Sequence, residues 1–376
     1  MKKETRNVTR KVLLVLAMAI AAMLAFAACA NNEPDTHSHT QTTDVSAVTS
    51  STVNHPPLNV ANWGLFIYEP VLQMFEAEYG IEVIYSTYST NEELYTMIAR
   101  GGAEFDVIVP SDYMVERMIN EGLLVPLNWD NIPNADYIFP RFKGLAFDPN
   151  NLYSVPYKWG TFGIVYNTTK VDQVVDSWSI LWDEAFAGEI FLYDSSRCTM
   201  GAVQRMLGFS MNSRDHGELN QVRDALMQLG PNVRAFLADQ IIDNMIGGEG
   251  ALATVYNGCA MWITYYNPDH NYVVPQEGSQ LWFNSMVIPA STRNQANAEK
   301  FINFMNRPDI AYLNTRYTRY STTNIGAFER IPEGWQNCPI YWPCDETLAR
   351  GEVFVDLGDF RADFELAWTQ ILLASN

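Results

Sequence analysis

The chain has 376 residues, 48% of them hydrophobic and 13% aromatic, with a formal net charge of −19. That length exceeds what a single core usually serves, so two domains or lobes are expected, and the apolar content excludes a disordered chain. The acidity argues against nucleic-acid or anionic-membrane partners and weakly favours cationic ones.

Lys2, Lys3, Arg6, Arg10 and Lys11 precede an apolar run from 12 to 28, the pattern of a secretory signal. It ends Phe26-Ala27-Ala28-Cys29, which resembles a bacterial lipobox with Phe where Leu is usual. Residues 1–29 are therefore expected to be a lipoprotein signal peptide with Cys29 lipidated; an ordinary signal cut nearby is the alternative. Residues 30–57, rich in Thr, Ser, Asn, Asp and His, are expected to be a flexible tether. Removing residues 1–29 takes away five basic residues and one acid, which moves the formal charge from −19 to −23.

From residue 58 the chain alternates strand and helix. A strand at 58–63 ends in Trp63, and an amphipathic helix follows with Val71, Leu72, Phe75 and Tyr79 on one face and Gly80 as its stop. The β-branched and aromatic stretch 81–88 predicts a strand. Thr90-Asn91-Glu92-Glu93 has capping-box spacing and launches a helix to Arg100. Phe105 to Val109 predicts a buried strand, stopped by Pro110, with Ser111 at the N-cap of a helix that Gly122 closes. Ser111, Asp112 and Tyr113 thus stand past a strand's carboxyl end, where ligands bind in open α/β sheets. Such alternation implies right-handed crossovers and a mainly parallel sheet.

A Pro- and Asn-rich connection leads to an extended segment at 152–167, suited to crossing between lobes. A second α/β pattern follows: a helix near 178–187, a strand at 190–193 ending in Asp194 and Ser195, helices near 199–208, 218–229 and 240–247, and a strand in 251–263 leading to Tyr256. Residues 271–290 are extended again, with Trp282 and Asn284 beside the return crossing. A helix at 295–306 and a final amphipathic helix near 360–373 complete the pattern. Cys338 and Cys344 bracket a Pro-rich loop outside the cytoplasm, where a disulfide is permitted, and a small loop staple between them is expected. Cys198 and Cys259 either pair or stay free; sequence leaves this open.

With Asn62-Trp63, IEVIYSTY, FDVIVPSDY, YSVPYKWGTFGIVYN, EGSQLWFNSMVIPA and KFINFMNRPDIA in this order, the chain resembles the spermidine/putrescine-binding proteins of bacterial ABC importers over residues 58–376. The resemblance implies a two-lobed α/β fold of the type II periplasmic-binding-protein kind, its lobes joined by crossing strands around a ligand cleft. Residues 58–160 with 284–318 form the first expected lobe, and 165–280 with 319–376 the second. It also implies a polyamine slot in which rings pack the methylene spine and carboxylates hold the ammonium groups.

Carried over by resemblance, Trp63, Ser111, Tyr113, Tyr256 and Trp282 fall on ligand-binding positions. Gly64 stands where the family has Thr, and Phe66 where it has Tyr. Three acidic positions fall on Ser195, Cys198 and Asn284, and a buried cation without a counter-charge is costly. Asp112 and Asp194 are the expected substitutes, although Asp112 equally suits capping its own helix. Trp159 and Trp262 are expected to pack core, and one of Tyr85 and Tyr88 with them.

The expected function is a membrane-tethered, monomeric receptor delivering a polyamine or related small amine to ABC permease subunits, with no cofactor, no metal and no nucleic acid. A neutral or zwitterionic ligand, or a signalling receptor no longer used for transport, are the alternatives. An enzyme is not expected: only His216 and His270 lie in the globule, and no nucleophile elbow, HExxH or metal-spaced cluster is present.

Overall fold

The structure is a computed structural model that describes residues 55–101 and 104–374. The expected signal peptide, Cys29 and nearly all of the expected tether lie outside the described residues.

The first half of the fold alternates as its apolar pattern dictates: β1 (Leu58–Trp63), α1 (Pro70–Tyr79), β2 (Val83–Tyr88), α2 (Asn91–Ala99), β3 (Val107–Ile108) and α3 (Asp112–Asn120). Strand β1 pairs in parallel with both β2 and β3. Helix α1 buries Val71 and Phe75 and ends where Gly80 takes φ 67°, a left-handed conformation that a Cβ disfavours. At the start of α2 the Thr90 hydroxyl accepts from the Glu93 amide at 3.1 Å, and the Glu93 carboxylate accepts from the Ser89 amide at 2.8 Å. Strand β3 is shorter than the expected 105–109 because a side chain takes over the ladder. The Asp106 amide donates to the Asn59 carbonyl at 2.7 Å, while its carboxylate accepts from the Asn59 amide at 2.9 Å.

After short 3₁₀ turns the chain enters β4 (Ser154–Asn167), then β5 (Ile190–Tyr193), α4 (Ser196–Met206), α5 (His216–Leu229), β6 (Val233–Leu237), α6 (Gln240–Ile246), β7 (Leu252–Tyr256), α7 (Asn257–Tyr266), β8 (His270–Val273) and β9 (Leu281–Val287). The expected helix near 178–187 is instead two 3₁₀ turns, Trp178–Trp182 and Glu184–Phe186. Ser177 and Asp183 each cap a separate turn through their side chains, which resets the backbone between them. Helices α8 (Gln295–Met305) and α9 (Pro308–Thr318), the short β10 (Ser321–Thr322), three helices of one turn or so, and α10 (Arg361–Ala374) complete the chain.

Among the described residues ten strands join in the order β2-β1-β3-β9-β4-β7-β5-β6, with β8 and β10 also on β4. The outer pairs are parallel as expected, but every pairing of β4 is antiparallel. The sheet is therefore mixed, with its antiparallel part at the centre. Residues 154–161 of β4 pair with β9 and residues 162–166 pair with β7, so this one strand runs through both halves of the sheet. The segment 319–376, expected in the second lobe, begins against the β9-paired half of the sheet. Ser321 and Thr322 pair with Trp159 and Lys158 on the β9-paired stretch of β4, and Phe328 and Trp342 pack on Phe139 of the first half. Phe364 and Trp368 of α10, by contrast, are buried in the second-half region, where α10 packs on α4 and α5.

The cysteines do not form the expected loop staple. Cys198, Cys259, Cys338 and Cys344 are free. Cys338 turns its sulfur to Met261 Sδ at 3.8 Å, whereas Cys344 is exposed and meets Thr347 Oγ1 at 3.4 Å, so the two thiols face different neighbours.

Candidate functional site

At the seam where β4 passes from β9 to β7, Gly160 pairs with Trp282 near the amino end of β9 and Phe162 pairs with Tyr256 at the carboxyl end of β7. Trp282 on β9 is the centre of a ring cluster there, 3% exposed, with Tyr256 at 5.7 Å, Tyr320 at 5.4 Å and Phe66 at 6.4 Å between centroids. Its indole N–H donates to the Thr161 carbonyl at 3.4 Å. Phe66 in turn meets Tyr320 at 5.0 Å and Tyr157 at 5.9 Å. Rings from both halves of the sheet thus converge, and tilted or edge-on pairs of this spacing are favourable.

Close backbone approach makes the cluster possible. A Cβ on Gly160 would lie 2.7 Å from Trp282 Cζ2 and 2.0 Å from Asn257 Oδ1, and one on Gly258 would lie 2.3 Å from the Tyr320 ring. Gly258→Ala is therefore expected to push the Tyr320 ring out of the cluster and to weaken ligand binding by about ten-fold or more. Titration calorimetry on the folded variant checks it.

Trp63 ends β1 in front of Tyr88, with centroids 4.8 Å apart. Its indole N–H donates to the Val109 carbonyl at 2.8 Å, and the Tyr88 hydroxyl donates to the same carbonyl at 2.7 Å. Trp63 is held at the mouth of the first half and keeps part of its ring exposed.

The wall at 111–113 is differently arranged from the expectation. Ser111 bridges Asn284 of β9, and both are buried. The Ser111 side chain makes no cap bond; its amide donates to Asn91 Oδ1 at 3.1 Å. Tyr113 directs its hydroxyl to the Glu92 carboxylate at 3.0 Å and accepts from Asn91 Nδ2 at 3.0 Å. Asp112 does not open on the cleft. It is fully buried, its carboxylate accepting from the Phe283 amide at 3.0 Å and from its neighbour Tyr113 at 2.8 Å. Burial pushes this carboxyl up to about 7 against the lowering effect of those bonds and of Arg197. The carboxylate ties α3 to β9, which corrects its reading as a free counter-charge.

On the opposite wall, Ser195 caps α4 by accepting from the Cys198 amide at 3.5 Å. Asp194 is exposed at the end of β5. Cys198 Sγ meets the Tyr256 hydroxyl at 2.8 Å and Gln280 Oε1 at 3.4 Å. Cys259 Sγ meets the Tyr320 hydroxyl at 3.3 Å. Burial pushes the two thiols up to about 11 and about 12, so both are protonated.

Sequence reasoning missed three participants. Arg197 lies 5.2 Å from the Tyr113 ring and 4.2 Å from Phe354, and it donates to the Val355 carbonyl and to Asn212. Tyr320 gave only the weak signal of a ring just before a short strand. Asp239 follows β6, a strand left unassigned because its polar Arg234 and short length hide the period.

A two-half α/β sheet whose strand ends gather rings at a seam defines a solute-binding protein of the type II periplasmic-binding-protein fold. The chain belongs to the bacterial extracellular solute-binding protein family, whose profile matches residues 71–341; this is a family of binding proteins and not of enzymes. It is 34% identical over 307 residues to the spermidine/putrescine-binding periplasmic protein of Salmonella typhimurium, covering 81% of this chain and 88% of that one. The substrate-binding protein PotD of the Streptococcus pneumoniae spermidine/putrescine ABC transporter superposes with a TM-score of 0.75 at 38% identity, covering 86% of this chain and all of the other. The TpPotD lipoprotein of Treponema pallidum superposes with a TM-score of 0.76 at 25% identity, covering 84% and 98%.

Proposed function

We propose that this chain is the lipid-anchored receptor of an ABC importer and that its ligand is a polyamine of the putrescine and spermidine class. The observation that carries the reading is the ring cluster of Phe66, Tyr256, Trp282 and Tyr320 at the seam between the two halves of the sheet. Its chemistry suits an alkyl diamine: ring faces take the methylene spine, and their quadrupoles attract the ammonium ends by about 2 kcal/mol when desolvated. The spermidine/putrescine-binding relatives support the same ligand class.

The two halves act as lobes. Trp63, Ser111 and Tyr113 belong to the first wall, Tyr256, Asp194 and Ser195 to the second, and Trp282 and Asn284 to the crossing strand between them. Loaded receptor then presents the solute to permease subunits as a monomer, tethered at Cys29, and performs no reaction on it. The lipoprotein of Treponema pallidum supports the anchoring.

Isothermal titration of the chain without its signal segment tests the ligand. Putrescine or spermidine is expected to bind with micromolar or tighter affinity, and absence of heat for both at high micromolar concentration overturns the reading.

A further inference from the structure

The ring cluster has electrostatically different ends. At one end Tyr256 meets Cys198, and the neighbouring Arg197 acts on both Cys198 and Asp112. At the other end Tyr320 meets Cys259, and the carboxylate that acts on all of Tyr320, Cys259 and Tyr193 is that of Asp239, joined by Asp194 only at Tyr193. Asp239 follows β6 at the ligand edge of the sheet and heads α6 without a side-chain cap bond. Among the described residues its carboxylate makes neither a hydrogen bond nor an ion pair. Gly64 faces it from the other half, directly after Trp63. A Cβ on Gly64 would lie 3.9 Å from Asp239 Oδ2 and would meet nothing nearer.

We propose that Asp239 is the carboxylate that binds a ligand ammonium group, in the gap that Gly64 leaves beside Trp63. This rests on the polyamine reading above and names the counter-charge that it needs. The other candidates are weaker. Asp112 is committed to two backbone amides, Ser195, Cys198 and Asn284 carry no charge at neutral pH, and Asp194, exposed at the end of β5, acts on Tyr193 less strongly than Asp239 does and on neither Tyr320 nor Cys259. Arg197 makes the opposite end unfavourable to a cation, so the stronger ammonium subsite is the Asp239 end. Asp239 is exposed to solvent at this edge, and partial desolvation by its surroundings holds its carboxyl above the usual carboxylate range. An arriving ammonium relieves this, so amine binding draws the carboxyl toward its ionised form and weakens on acidification.

Titration of putrescine into wild type and D239N, with G64V as the second variant, tests the proposal. D239N is expected to bind about ten-fold or more weakly with an unchanged ligand-free melting midpoint, and to lose part of the weakening seen on acidification. G64V, which keeps the carboxylate but fills the gap, is expected to lose affinity as well. Wild-type affinity in a folded D239N, or in G64V if D239N does not fold, overturns the role of Asp239 and leaves the polyamine reading standing. Failure of wild type itself to bind putrescine or spermidine overturns both.

Discussion

Trp282→Ala is expected to abolish polyamine-dependent thermal stabilisation and to lower the stability of the ligand-free protein by ~3–5 kcal/mol. The two effects arise from the same atoms. At 3% exposure the indole contacts Tyr256, Tyr320 and Phe66, and it sits against the bare backbone of Gly160, so its removal leaves a cavity that glycine cannot fill. The rings that lose it come from both halves, and the ligand surface loses its centre. Trp63→Ala separates the effects. That ring is only partly buried and rests mainly on Tyr88, so its loss is expected to remove the ligand-induced shift with a smaller cost, roughly 1–2 kcal/mol, to the ligand-free protein. Melting curves with and without putrescine check both; a wild-type ligand shift in Trp282→Ala refutes the site.

How much of this was legible in the sequence depended on whether the signal was local. Apolar periodicity located most helices, because burial of one face imposes a period on each segment by itself, whereas β1, β2, β4 and β9 were legible as short β-branched, aromatic or extended runs; β4 is buried along nearly its whole length and has no one-face period. The ring positions Trp63, Tyr256 and Trp282 came from the resemblance, and the structure brings the last two together. Asp112 was misjudged for a reason no local rule contains: the Phe283 amide that claims its carboxylate lies 171 residues away. Asp239 was missed because β6 alternates poorly, and the strand end that exposes it was therefore invisible. The shortened β3 and the broken 178–187 helix share one cause, polar side chains that replace backbone partners, which propensity undervalues.

The stability of the protein is expected to carry a contribution with a minimum near neutral pH, from two buried groups with opposite charge. Lys158 is 1% exposed on β4, donates to Thr315 Oγ1 at 3.1 Å, and has no carboxylate partner among the described residues. Burial lowers its ammonium from 10.5 to about 7. The unfolded chain therefore binds more protons between those values, and this contribution rises with pH from about 7 to about 10.5. Asp112 behaves oppositely, since its carboxyl is raised from 3.8 to about 7. The native state binds the extra proton in that window, so its contribution is present below 3.8 and is lost as pH rises to about 7. Each limb is expected to amount to a few kcal/mol. Urea midpoints measured from acid to alkali in wild type, Lys158→Met and Asp112→Asn isolate them by difference. Lys158→Met is expected to remove the rising limb and to gain stability at neutral pH, because an apolar chain of similar length needs no ion solvated in the core. Asp112→Asn removes the falling limb but weakens the tie of α3 to β9, so it is expected to be less stable in acid than wild type. Wild-type slopes that persist in both variants would show that these two groups do not set them.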